Sequence, residues 1–108
     1  MSEKNAGPIV TQADVDAEIA SEWYINAGTG VVPDDDGGFQ PPVPADSPLH
    51  CLTICVLVLR NGFTVTGESA CVSPENFDAE IGRQIARRKA VDKVWQLLGF
   101  RLQDSLSR

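Results

Sequence analysis

The chain has 108 residues, 43% of them hydrophobic, and a formal net charge of −6. That length fits one domain with a small core, for which self-association is the expected supplement, and no apolar run approaches the ~18–20 residues that span a bilayer. The acidity disfavours a general nucleic-acid binder, and an odd cysteine count (Cys51, Cys55, Cys71) without a CxxC pair argues against both a disulfide framework and a zinc site.

Residues 1–10 read as a disordered lead with no apolar stretch resembling a signal peptide, and residues 11–108 read as a single domain. Thr11 followed by Asp14 forms a capping-box pattern, with Val10 and Val15 at the hydrophobic-staple positions. Val15, Ile19 and Trp23 repeat every four residues, which predicts a helix over about 12–25, closed by Gly28 and Gly30. Residues 31–48 hold five of the seven prolines and Asp34-Asp35-Asp36, and read as a flexible Pro/Asp/Gly loop. Gly38 stands where an EF-hand would place its third oxygen ligand, so calcium is disfavoured and no metal or cofactor is expected.

Residues 50–60 are rich in β-branched and aliphatic side chains, Asn61-Gly62 is a preferred type I′ pair, and residues 63–72 alternate apolar and polar. These predict an antiparallel hairpin of strands 50–60 and 63–72. A two-residue loop would pair residues whose numbers sum to 123 and would set Glu68 opposite Cys55. The first strand is apolar on both faces, which leaves Leu57 and Leu59 as candidates for an interface.

Ser73-Pro74 resembles a helix cap and first turn, and Gly99 a stop, predicting a long helix over about 74–98. Phe77, Ile81, Ile85, Val91, Trp95 and Leu98 share the face expected to pack on the hairpin. Gly82, Ala86 and Ala90, on the other side, would admit a second helix or a partner subunit. The fold class is therefore α+β: helix, loop, hairpin, long helix.

Residues 61–100 and their flanks carry a resemblance. Leu52-Thr-Ile-Cys-Val-Leu, Asn61-Gly-Phe-Thr-Val-Thr-Gly-Glu-Ser-Ala-Cys-Val-Ser-Pro-Glu-Asn-Phe-Asp, Ile81-Gly-Arg-Gln-Ile-Ala and Trp95-Gln-Leu-Leu-Gly-Phe resemble a family of small tailed-phage proteins typified by the gene-49 product of phage N4 and the gene-66 product of phage Sf6. The resemblance is close over 49–106 and looser over Thr11–Trp23. It implies phage origin, small size and no established activity, and it brings no catalytic residues with it; the host cytoplasm is expected instead from the lack of an apolar span or a signal-like stretch.

The candidate chemistry is thin. His50 and Cys71 would lie diagonally across the hairpin and offer the one thiol–imidazole arrangement in the chain. Residues 1–80 carry 13 acids against Lys4 and Arg60, while residues 81–108 carry seven bases against Asp92 and Asp104. Arg83, Arg87 and Arg88, with the helix start at Ser73, are the candidate anion contacts, and Glu68 is the polar partner on its strand face. The expected function is a non-enzymatic phage accessory protein, homo-oligomeric, bound to a host or phage protein. The alternative is a binder of an anionic small ligand of the nucleotide-signal kind, held in a basic pocket between subunits.

Overall fold

The structure, a computed structural model, describes residues 7–108; the expected lead lies largely outside them. The capping box forms as read. Thr11 N–H donates to Asp14 Oδ2 at 2.9 Å and Asp14 N–H to Thr11 Oγ1 at 3.2 Å, starting α1 (Gln12–Glu18). Val15 of α1 is fully buried, and Val10 packs against the same cluster.

The helix then stops where the four-residue period predicted two further turns. Ile19–Asn26 is a strand, β1, paired antiparallel with β2 (Leu52–Leu59). The reason is compositional and topological. Ile19, Trp23, Tyr24 and Ile25 are β-branched or aromatic, and β2 has a free edge whose N–H and C=O groups require partners. A register shift between Ile19 and Ser21 marks a bulge where the chain enters the sheet. After β1 the side chain of Asn26 accepts from Gly28 and Thr29 N–H and starts the four-residue turn α2 (Ala27–Gly30). The same amide donates to the His50 carbonyl at 2.8 Å.

The loop after α2 carries no strand and only local turns until the 3-10 turn Pro48–Cys51. Asp34 closes its tip: its N–H donates to the Gln40 carbonyl at 2.7 Å and its carboxylate accepts from Gln40 N–H at 2.8 Å.

The hairpin of β2 and β3 (Thr64–Ala70) is present, in a register one residue from expectation. Leu52 faces Ala70 and Val58 faces Thr64, so paired numbers sum to 122. The loop is Arg60-Asn61-Gly62. Gly62 N–H donates to the Leu59 carbonyl at 2.9 Å, Leu59 N–H donates to the Phe63 carbonyl at 2.8 Å, and Gly62 takes φ +90°. That is a three-residue connection, a turn followed by one left-handed residue, the second solution open to an Asn-Gly pair. The slip sets Gly67 opposite Cys55 and moves Glu68 opposite Ile54, onto the other face of the sheet. The sheet order is β1-β2-β3.

The long helix, α3, spans Ala79–Leu106, about 42 Å at 1.5 Å per residue. Its cap is Asp78, whose carboxylate accepts from Glu80 N–H at 2.9 Å and Ile81 N–H at 3.2 Å. Ser73 and Pro74 instead open a separate 3-10 turn, with no cap bond from the Ser73 side chain. Gly99 does not stop the helix, because Arg101 and Leu102 gain tertiary partners beyond it and one exposed glycine costs only about 1 kcal/mol.

Contrary to the sequence pattern, α3 lays its small residues on the sheet. Gly82, Ala86, Ala90, Val94 and Leu98 are buried, whereas Ile81 is 53% exposed. The sheet supplies the bulk, with Cys55, Leu57, Leu59 and Val65 pointing at the helix, so close approach needs small side chains on the helix. Leu57 and Leu59 are accordingly core residues of this chain, and Gly82, Ala86 and Ala90 contact its own sheet.

Candidate functional site

Each candidate residue has a definite place. Arg83 pairs with Glu80 at 3.2 Å and Arg87 with Glu22 at 2.9 Å, while Arg88 is exposed with no ion-pair partner among the described residues. The three therefore do not converge within one subunit. The Ser73 hydroxyl donates to the Glu75 carboxylate, so that turn already carries an anion, and it holds the Glu75 carboxyl below its ordinary value. Glu68 is exposed on the outer sheet face beside Thr66. His50 turns away from Cys71: a ring nitrogen lies 3.0 Å from the Pro44 carbonyl oxygen, and the ring packs on Gly28, where a Cβ would lie 2.1 Å from Nδ1. The thiol–imidazole pair is not formed.

Two polar clusters escaped the sequence reading. Glu18, at the end of α1, is 3% exposed and accepts on one carboxylate oxygen from both Arg60 (3.1 Å) and Arg101 (3.0 Å). Its backbone carbonyl also accepts from Arg60 N–H at 2.9 Å. One side chain thus ties α1, the hairpin loop and the far end of α3 together. The two arginines, Arg101 first, hold its carboxyl below the ordinary glutamate range against the opposing effect of burial. Beside it runs a cleft of about 350 Å³ lined by Asp14, Arg60, Arg101 and the apolar Ile9, Leu98 and Leu102. The second cluster is Glu22, Tyr24 and Arg87. Arg87 and the Tyr24 hydroxyl (2.7 Å) both donate to Glu22 and lower its pKa. Tyr24 is pushed well above its ordinary value by burial and by that bond to Glu22. Behind it burial pushes the Cys55 thiol up. Neither cluster has a sequence signature, because each joins residues 42–83 positions apart.

The third feature is a surface. α1 and α3 both lie on one side of the sheet, where Val15, Leu57, Val94 and Leu98 share a core. On the other side Ser21, Trp23 and Ile25 of β1 stand opposite Val58, Val56 and Ile54 of β2. Trp23 is 61% exposed and Ile25 38%, and the β2 residues are half-buried. At one end of this face Gly30 lies against Ile25. The β3 side of it is polar: Thr64, Thr66, Glu68.

A model of the Phage protein (N4 Gp49/phage Sf6 gene 66) family matches residues 10–106. The chain belongs to this phage protein family. The match runs from the α1 staple through the Glu18 cluster to the end of α3, so every feature above except Ile9 of the cleft lies inside the family region. No curated protein and no solved structure matches the chain. Among the described residues of this phage protein, no helix is long and apolar enough to cross a membrane, and no group of three or more His, Cys, Asp or Glu side chains is placed to hold a metal ion.

Proposed function

We propose that this phage protein acts without catalysis, as a homo-oligomeric accessory factor in the host cytoplasm that docks a host or phage protein. One observation carries the reading. The central strand β2 is apolar on both faces: its Cys55–Leu57–Leu59 face packs in the core of the chain, and its Ile54–Val56–Val58 face is half-buried. The outer face, with Trp23 and Ile25 beside Ile54, Val56 and Val58, is a contiguous apolar patch of the kind that marks protein contacts. Arg60, Arg87 and Arg101 are engaged with Glu18 and Glu22 in pairs that tie elements together. Light scattering at micromolar concentration tests the first half of the proposal: a mass above the 11.6 kDa of one chain is expected, and a monomeric mass overturns it. Pull-down from infected cells tests the second half, with Val56→Asp as the control that loses the partner.

An anionic small ligand is the alternative, and the observation favouring it has moved. Arg60 and Arg101 share the single carboxylate of Glu18, are both more than half exposed and line the 350 Å³ cleft, whereas Arg83 and Arg87 each have a carboxylate of their own and lie away from it. Thermal melting with a nucleotide panel separates the two readings, since a ligand at 100 times its Kd adds ~2.7 kcal/mol. A shift lost in Arg101→Ala favours the ligand; no shift with any nucleotide favours protein partners.

A further inference from the structure

We propose that Cys51 and Cys71 form a cross-strand dithiol that closes reversibly to a disulfide by exchange with a small-molecule disulfide. The register carries the argument. The β2–β3 pairing sums to 122, and 51 and 71 continue it one residue beyond the last paired positions, Leu52 and Ala70. Cys51 closes the 3-10 turn Pro48–Cys51, and Cys71 N–H donates to its carbonyl at 3.0 Å, so one bond of the ladder pattern extends to this pair beyond the strand ends. Hydrogen-bonded antiparallel partners have Cα atoms about 5.5 Å apart and side chains on one face, inside the roughly 4.4–6.8 Å that a disulfide spans. Both thiols are free, and both line one cavity of about 180 Å³, bounded by Asp78, Ile81, Gly82 and Ile85 of α3 and its cap.

The two thiols are differently placed. Cys51 is 7% exposed, whereas Cys71 is half-buried and donates its S–H to the Ser73 carbonyl at 3.1 Å. Cys71 is therefore the thiol that meets the reagent and Cys51 the one that resolves. The Cys71 thiolate attacks one sulfur of the small disulfide. The S–S bond breaks, and one small thiolate leaves and takes up a proton. The Cys51 thiolate then attacks the Cys71 sulfur of the mixed disulfide and expels the second small thiol. Two protein thiols are oxidised, one small disulfide is reduced to two thiols, and the two protons end on those thiols. Cys55 stays outside the exchange: it is fully buried, and four residues along a strand put it about 13 Å from Cys51.

The experiment uses the full chain equilibrated with oxidised glutathione, acid-quenched, and alkylated in denaturant. The expected product in denaturant is a single chain with no inter-chain cross-link, lighter than the reduced chain by two hydrogen atoms, with one of its three thiols left to alkylate. Trypsin then links peptide 5–60 to peptide 61–83, and fragmentation sets the bridge at Cys51. The Cys55→Ala variant keeps the bridge, and Cys51→Ser accumulates the glutathione adduct on Cys71. The bridged form melts at higher temperature, because closing the 51–71 loop restricts the unfolded chain. Three alkylated thiols, a stable glutathione adduct on the unsubstituted chain, a bridge to Cys55 or a cross-linked dimer would each overturn the proposal. Because the unsubstituted chain gives the decisive reading, misfolding of a variant does not obscure it. The outcome is independent of the oligomeric reading.

Discussion

A methyl group built on Gly67 would lie 2.2 Å from the Ala86 carbonyl oxygen and 2.4 Å from the Ala90 nitrogen. Both are helix backbone atoms that cannot rotate away, so α3 would have to lift from β3. Gly67→Ala is expected to lose about 1–3 kcal/mol by overpacking, measured by urea denaturation. Gly99 is the opposite case: it sits inside α3, exposed, with nothing within 4 Å of a built Cβ. Gly99→Ala should gain about 0.4–1 kcal/mol through the unfolded chain and helix propensity. Equal effects at the two glycines would contradict the packing described. Glu18 gives the residue scale its pH dependence. Its folded carboxyl sits below the ordinary value of 4.5 because Arg101 and Arg60 bind the charged form. Such a group adds stability that is complete above pH 4.5 and is lost as the pH falls through the folded value. Glu18→Ala should therefore cost about 1.5 kcal/mol at neutral pH, the low end for bonds to a charged group, since both guanidiniums return to water. The gap between variant and parent should close as the pH drops below 4.5; a gap that widens would assign Glu18 another role.

At the scale of elements, caps decide where α3 begins. Asp78 satisfies two N–H groups, whereas Ser73 satisfies none at its own turn. Asp78→Ala is expected to cost ~1 kcal/mol, and Ser73→Ala to stay within about 0.5 kcal/mol; chemical denaturation of both variants checks the contrast, and a larger loss at Ser73 would move the cap back. Local signals of this kind were legible in the sequence when they were short-range. The Thr11–Asp14 box, the Asn61-Gly62 turn and the existence of a long final helix are all set by neighbours within four residues. What was not legible came from distance. The stretch Ile19–Asn26 has helical spacing in Val15, Ile19 and Trp23 but strand composition in Trp23, Tyr24 and Ile25, and the open edge of β2 settled the conflict. The hairpin register turned on whether Asn-Gly closed a two- or a three-residue loop, which propensity alone does not distinguish. Apolar size in the sequence points to the wrong side of α3. Against a sheet face already filled by Cys55, Leu57 and Val65, the small side is the one that fits. The Glu18 and Glu22 clusters had no local pattern to read.

For the molecule as a whole, the radius of gyration is 18.4 Å, against about 13 Å for a compact domain of this length. The thinnest extent is 19 Å, room for one sheet and one helix layer. α3 at about 42 Å overhangs strands of eight residues, about 26 Å long, and its far end is held by Glu18 through Arg101. In such a two-layer body α1 and α3 pack on one sheet face, and the length of α3 adds no cover to the other, where Trp23 is 61% exposed beside the half-buried Ile54, Val56 and Val58. Self-association through that face has a specific signature. Val56 sits at its centre, opposite Trp23, whereas Ile81 is 53% exposed on the helix layer. Withdrawing a valine from an apolar contact forfeits about 1.5 kcal/mol or more, which is about tenfold in affinity. Val56→Lys should therefore weaken the oligomer by at least that factor, while Ile81→Lys leaves it unchanged. Trp23 reports the same event, because its exposed indole should shift its emission to the blue on association and back to the red on dilution. If Ile81→Lys dissociates the oligomer and Val56→Lys does not, the contact lies on α3. The outer face of β2 would then be open to a partner other than a second copy.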